Sequence, residues 1–309
     1  MSGSAAPILV TGATGRHGST GAHVARRLRE EGRPVRILAR TINDRTDELA
    51  ALGAEVVIAD LHDRRSLLTA LAGVEQTYFT YPIEAGVVSA AANYAAAVRE
   101  AGHPVRTVVM SMGPAHPQHP SELGRAQWLA EEVMTWAGLE ILVLRVGATF
   151  HQNLIALHGD SIRRESLLRN SFGDAQVGWI DGCDAAELAV AALVRPGTFD
   201  GPVCYPAGSE LLNHHEVAEI LTEELGRPIA FEAISPDAWR KDLVRLAERY
   251  PGGVVNAAMA GHISNVGAAV AARGAPPADR TALARLIDRT PMSLREFIRA
   301  NRNNLEATP

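Results

Sequence analysis

Cysteine is nearly missing from this chain. Its 309 residues hold two, Cys183 and Cys204, too few for a disulfide framework and not at metal-ligand spacing. Both read as plain core thiols in a reducing, cytoplasmic protein. No charge excess stands out either: 30 Lys and Arg face 35 Asp and Glu, a formal net charge of −5. That mild acidity argues against a nucleic-acid backbone or an anionic membrane surface as partner. There is no apolar run of membrane-spanning length, and the strand-like stretch near the N-terminus is too short for a signal-peptide core. Internal repeats, low-complexity linkers, flavin motifs and metal-ligand constellations are missing too. His214-His215 has no carboxylate or cysteine at ligand spacing and reads as a solvated helix start. Glu131-Glu132 reads as an ordinary polar helix face.

What is there begins with Pro7-Ile8-Leu9-Val10-Thr11-Gly12-Ala13-Thr14-Gly15-Arg16-His17-Gly18. A short apolar strand runs into glycines spaced G-x-x-G-x-x-G, and a helix with Ala22, Ala25 and Leu28 on one face follows. Bare backbone in such a turn can lie against a diphosphate, while the helix start directs N–H groups and partial positive charge at it. The second strand, Pro34 to Ala39, ends at Arg40 rather than at an acid. A carboxylate there would accept from a ribose 2′-hydroxyl, whereas a guanidinium binds a 2′-phosphate through paired hydrogen bonds. Arg40, with Arg16 in the glycine loop, therefore favours NADP over NAD.

Strands then alternate with helices to about residue 195. Strands are expected at 54–60, 77–81, 106–110 and 141–146, and helices at 47–52, 64–71, 87–101 and 126–136. This rhythm predicts an α/β protein: a Rossmann-type, doubly wound parallel sheet with helices on both faces. Residues 1–150 form the dinucleotide-binding domain, and 177–205 are expected to return to its sheet, with Asp184 capping the helix after it. Residues 151–176 and 206–309 form a smaller, mainly helical substrate-binding portion, expected over the carboxyl ends of the strands.

The pattern resembles the NmrA-like branch of the atypical short-chain dehydrogenases/reductases. The resemblance rests on Thr11-Gly12-Ala13-Thr14-Gly15-x-x-Gly18, Arg40, Asp60-Leu61, Leu144-Arg145-x-x-x-Phe150-x-x-Asn153, Trp179-Ile180-Asp181-x-x-Asp184-Ala185-Ala186 and Pro291 to Phe297. It covers nearly the whole chain and implies a nicotinamide cofactor held by Gly12, Thr14, Gly15, Arg16, His17, Gly18 and Arg40. It further implies that Asp60 and Leu61 border the adenine and that Thr80, Tyr81 and Pro82 line the ribose side. Members of that branch include quinone, triarylmethane-dye and isoflavone-type reductases, and redox-sensing regulators that bind the cofactor without turnover.

The ordinary Tyr-x-x-x-Lys pair is replaced here by Leu123-Gly124-Arg125-Ala126-Gln127. Leu123 donates no proton, and Gln127 can hydrogen-bond a ribose but carries no charge to tune a neighbour; Arg125 is a candidate substitute cation. Reduction of an isolated ketone, which makes a strongly basic alkoxide, is thereby disfavoured. A quinone relaxes the demand, because its product is a phenolate whose conjugate acid has a pKa of roughly 10. The expected activity is NAD(P)H-dependent hydride transfer to an aromatic quinone or similar conjugated polycyclic acceptor. A sharper form couples reduction to oxygen-dependent ring hydroxylation, as a monooxygenase in antibiotic-type aromatic biosynthesis, alone or with a protein partner. The competing expectation is a non-catalytic NADP(H) sensor. Ser111, Gln127 and His151 are the candidate catalytic side chains. His116, Phe150 and Asn153 are the expected substrate contacts, and the loop carrying His116 and His119 offers stand-in proton donors.

Overall fold

A computed structural model describes residues 5–15, 19–113, 115–275 and 279–306. Strands and helices alternate from the start: β1 (Ile8–Val10), α1 (Thr20–Glu30), β2 (Val35–Ala39), α2 (Asp44–Ala51), β3 (Glu55–Ile58), α3 (Arg64–Leu71), β4 (Gln76–Phe79), α4 (Val87–Ala101), β5 (Arg106–Met112), α5 (Glu122–Trp136) and β6 (Ile141–Val146). The pattern then shortens into β7 (Thr149–Phe150), α6 (Gln152–Glu165), β8 (Leu167–Asn170), β9 (Val177–Ile180), α7 (Gly182–Val194), β10 (Val203–Cys204) and β11 (Glu210–Leu212). Last come α8 (His214–Leu225), β12 (Ala230–Ala233), α9 (Pro236–Arg249), α10 (Ala257–Arg273), α11 (Ala282–Ile287) and α12 (Leu294–Ala300).

Contacts divide the chain into two compact units. The first comprises residues 1–117, 125–146 and 185–205, the second residues 118–124, 147–184 and 206–309. In the first unit seven parallel strands pair in the order β10-β6-β5-β4-β1-β2-β3. This is the Rossmann-like α/β fold, with strand order reversing between β1 and β4. Inner strands such as β1 and β4 bury both faces, as parallel sheets wrapped by helices do, while the edge strand β3 leaves Ile58 exposed. The alanines of α4 let that helix lie close to the sheet, and among them Tyr94 bonds the buried Thr107 hydroxyl at 2.8 Å.

The second unit is mainly helical around two small sheets, β11-β9-β7 and β12-β8. Its core gathers Leu154, Leu168, Trp179, Val217, Leu221, Trp239, Phe297 and Ile298. Three expectations change here. Residues 177–180 do not join the main sheet: β9 pairs with β7 and β11, because Val177 and Trp179 enter the second core and the indole N–H reaches the Leu212 carbonyl at 3.3 Å. The cap of α7 is Asp181, whose carboxylate accepts the Cys183 N–H at 2.8 Å, whereas Asp184 in the first turn accepts from the Met292 N–H at 2.7 Å and pairs with Arg289. Neither thiol is a core residue, Cys183 being exposed and Cys204 half-buried. Among the described residues no helix is long and apolar enough to cross a membrane.

Candidate functional site

The carboxyl ends of β1, β2, β3 and β4 lie side by side in the first unit, and each carries one group of expected cofactor residues. After β1 comes the glycine loop. Gly12 takes a left-handed backbone, φ +64°, and its carbonyl accepts the Gly15 N–H at 2.9 Å, closing a tight turn. A Cβ on Gly12 would lie 2.4 Å from the Thr80 methyl. Backbone meets backbone at Gly21 inside α1, where a Cβ would stand 2.6 Å from the Gly12 carbonyl oxygen and 2.8 Å from the Ala13 nitrogen. Sequence spacing singled out Gly18 as the third glycine; with Arg16 and His17 it lies outside the described residues. Gly21 is what lets helix and loop touch. The Thr11 hydroxyl bridges to β4, donating to the Thr80 carbonyl at 2.9 Å and accepting its N–H at 2.8 Å. Below the loop, the buried Tyr78 phenol donates to the Thr20 hydroxyl at 2.9 Å and anchors the start of α1.

Both glycines are required by packing, since a Cβ at Gly12 would strike Thr80 and one at Gly21 the Gly12 carbonyl, so the tight turn at the start of α1 depends on them. Gly21→Ala is expected to push the loop and α1 apart by overpacking, at about 1–3 kcal/mol. Dinucleotide binding should then weaken roughly tenfold or more in a fluorescence titration; unchanged affinity would contradict the arrangement.

Arg40 follows β2 and is exposed. Sequence reasoning missed another guanidinium held against the glycine loop. Arg45 sits in the first turn of α2 and donates to the Thr14 carbonyl of the glycine loop at 2.8 Å. The signal was available in Asn43 and Thr46, which form the capping box that starts α2 at Asp44 rather than at residue 47. After β3, Asp60 accepts the His62 N–H at 2.9 Å, and Leu61 is buried. After β4, Thr80 and Tyr81 are half-buried and Pro82 is exposed. The Tyr81 phenol bonds the His62 ring at 2.8 Å, and burial pushes its pKa up, with Glu84 and Asp60 adding to the shift.

At the end of β5, Ser111 is buried and its hydroxyl donates to Glu131 of α5. Glu131 is not a polar helix face. It is 2% exposed and held by Arg145 of β6, whose Nε and Nη2 donate to one carboxylate oxygen at 2.8 and 2.5 Å. Burial pushes the Glu131 carboxyl up, while Arg145 and Ser111 pull it down. Arg145 continues to the Tyr205 phenol at 2.5 Å. A charged residue inside the apolar run Ile141–Val146 demands a buried partner, and that was the available clue. Gln127, one turn before Glu131 on α5, is buried as well, whereas Arg125 is exposed.

The remaining candidates separate. His116 is exposed in the first unit. In the second unit Phe150 lies half-buried in β7, and Asn153 of α6 keeps its Oδ1 buried without a hydrogen-bond partner among the described residues. His151 is a core residue rather than a catalytic one. It is fully buried, its ring centroid lies 5.5 Å from that of Phe297, and burial pushes its pKa down to about 4 against the opposing pull of Asp181. His214 likewise turns inward to stack on Phe172 and Phe231, leaving only His215 exposed. Among the described residues no group of three His, Cys, Asp or Glu side chains could hold a metal ion.

Residues 4–260 match the NmrA-like family. The chain belongs to that family. An NAD(P)H azoreductase of Xenophilus azovorans is 34% identical over 232 residues, 74% of this chain and 77% of that protein. A (4-alkanoyl-5-oxo-2,5-dihydrofuran-3-yl)methyl phosphate reductase of Streptomyces griseus is 35% identical over 255 residues, 81% of this chain and 84% of the relative. Among solved structures, an NADPH-dependent quinone oxidoreductase of Escherichia coli complexed with NADPH superposes with a TM-score of 0.79 at 22% identity, covering 94% of this chain and 98% of that one. That likeness is one of fold.

Proposed function

We propose that this NmrA-like protein is an NADPH-dependent reductase of flat, conjugated acceptors such as quinones and azo compounds. The observation that carries the cofactor half is the glycine cradle with two guanidiniums beside it. Gly12, Gly15 and Gly21 would hold the diphosphate, and Arg40 and Arg45 the 2′-phosphate. Asp60 and Leu61 would border the adenine, and Thr80, Tyr81 and Pro82 the ribose side. When bound, the nicotinamide supplies a hydride.

The acceptor half draws support from the relatives, whose names describe reduction of an azo group and of an acyl dihydrofuranone phosphate. Both are conjugated systems that delocalise incoming charge. The chain's own residues agree. By its place in the sequence Leu123 is read as the counterpart of the ordinary family phenol, and a leucine there would give no proton to an alkoxide. Ser111 has its proton engaged by Glu131, leaving its oxygen lone pairs to orient a donor, and Gln127 offers a neutral amide for a ribose hydroxyl.

Mixing the protein with NADPH and a panel of naphthoquinones, anthraquinones and azo dyes under nitrogen tests the whole reading. Cofactor oxidation well above the buffer rate is the expected result. Tight NADPH binding with no oxidation across the panel would instead identify a redox sensor. The cofactor choice has its own check. Arg40→Ala and Arg45→Ala should each raise the KM for NADPH roughly tenfold or more, since a charge-assisted hydrogen bond contributes about 1.5–3 kcal/mol. The KM for NADH should stay within about twofold; equal loss for both cofactors would remove the 2′-phosphate assignment.

A further inference from the structure

In the first unit an imidazole and a phenol hold each other in a fixed corner. Tyr81, just past β4, has its hydroxyl 2.8 Å from His62 Nε2, and the rings stand edge to face, 81° apart with centroids 5.7 Å from one another. His62 Nδ1 in turn lies 3.2 Å from the Ser89 hydroxyl in the first turn of α4, which lies 2.9 Å from the Gly86 carbonyl. Gly86 takes φ +110°, and a Cβ there would come within 2.8 Å of the Tyr81 hydroxyl and 3.0 Å of His62 Cε1. The backbone beside His62 is fixed as well, because Asn93 of α4 donates to the Leu61 carbonyl at 3.1 Å. Sheet pairing does not account for the corner: β1 and β2 lie between β4 and β3, so the two loops meet although their strands do not.

Distances place the hydrogens of this corner. Ser89 has one to give, and the 2.9 Å bond to the Gly86 carbonyl takes it, so its oxygen accepts from His62 Nδ1–H. Nε2 is then bare and accepts the hydrogen of the phenol. The reverse arrangement would send that hydrogen to the Ala85 carbonyl at 3.4 Å and give up the Gly86 bond, exchanging a good hydrogen bond for a long one. Tyr81 is thereby left with lone pairs and nothing to donate. We propose that the Tyr81 oxygen reads the base of the cofactor, accepting a hydrogen from the 6-amino group of adenine, with His62 as its positioning residue. The inference rests on the dinucleotide reading above.

Electrostatics put the phenol at the adenosine end of the dinucleotide. Beyond burial, its pKa is raised by Glu84 of its own loop and by Asp60 after β3, and lowered by Arg40 after β2. Arg40 is the guanidinium assigned above to the 2′-phosphate, a group carried on the adenosine ribose. Adenine brings two N–H hydrogens on its 6-amino group, matched to an oxygen that only accepts. Hypoxanthine brings an oxygen at the same position, which would turn its negative end toward the Tyr81 lone pairs and the Asp60 carboxylate. The corner thus discriminates through the hydrogen it withholds, and His62 is what withholds it.

Calorimetric titration of the full chain with NADP+ and with nicotinamide hypoxanthine dinucleotide phosphate measures the choice of base without any turnover. Wild type should bind the adenine form about tenfold more tightly, the scale of one good hydrogen bond. In Tyr81→Phe that ratio should fall about threefold or more, through weaker binding of the adenine form. His62→Leu returns to the phenol a hydrogen it can donate, so the ratio should fall there through tighter binding of the hypoxanthine form. A role confined to holding the loops together would weaken both ligands alike. Long-range proton–nitrogen NMR of histidine-labelled wild type should show the neutral ring of His62 as the Nδ1–H tautomer, its signal identified by loss in His62→Leu. Wild-type affinities within about twofold of one another overturn the inference. So does an unchanged ratio in Tyr81→Phe or His62→Leu, or an Nε2–H tautomer at His62. A wild type that binds neither dinucleotide overturns the cofactor reading itself, and this inference with it.

Discussion

Between pH 7 and pH 5 the folded protein should lose about 6 kcal/mol of stability through three histidines of the second unit. His151 and His158 are pushed down to about 4 and His214 to about 3, in each case chiefly by burial. Like charge from His158 and His215 adds to the effect at His214, and Asp181 opposes it at His151. His158 stacks on Trp239 with ring centroids 6.1 Å apart, and both ring nitrogens of His151 are buried without a hydrogen bond. In the unfolded chain each ring titrates near 6.5, so below that pH the unfolded state binds more protons and folding weakens. The stabilisation is fully present above pH 6.5 and is lost progressively as the pH falls toward the folded values. At pH 5 each ring accounts for about 2 kcal/mol. Glu131, Asp184 and Glu210, pushed up by burial, work in the opposite direction and soften the loss at the acid end. A domain at the low end of the ordinary range, about 5 kcal/mol, would be near its unfolding midpoint by then. Urea titrations at the two pH values read the difference directly, and His158→Leu should recover about 2 kcal/mol of it. A stability that is flat from pH 7 to pH 5 would show that these rings reach water.

Arg145→Met should be the most damaging single substitution in the first unit. It leaves Glu131 buried, with Ser111 the one remaining side-chain partner shown for it. Stranding a buried charge in this way costs about 3–5 kcal/mol, or a Tm drop of roughly 10 °C at about 2–4 °C per kcal/mol. The companion change Glu131→Gln removes the charge, so the double variant should be markedly more stable than Arg145→Met alone. Calorimetry on the two variants decides the matter. A single-variant loss under about 1 kcal/mol would mean that the carboxylate is solvated after all.

Much of the first unit was legible because a parallel sheet writes itself into sequence as short, wholly apolar runs between amphipathic helices. The glycine loop, Arg40 and the strand ends at Asp60 and Thr80 followed from that rhythm. What escaped depended on partners far away along the chain. β7, β9 and β11 are two to four residues long, too short to show a period, and the side on which Trp179 is buried decides their sheet. Glu131 looked like its neighbour Glu132 until Arg145 stood beside it. His214 and His215 read alike although one is buried and the other exposed, since a helix start does not announce which of two adjacent rings turns inward. The Ser121 hydroxyl meets the His262 ring of α10, a contact between residues no local pattern relates. From sequence alone His119 is only a loop residue beside His116.

The order in which the main sheet is assembled has a consequence for synthesis. Its outermost strand, Val203–Cys204, pairs with Ile141–Val146, yet residues 147–184, which belong to the other unit, emerge from the ribosome between them. During that interval the growing polypeptide presents an unpaired backbone edge beside an apolar strand, a known invitation to misassociation. Slowing translation across this stretch, or pausing it just short of residue 203, should therefore favour aggregates over native product.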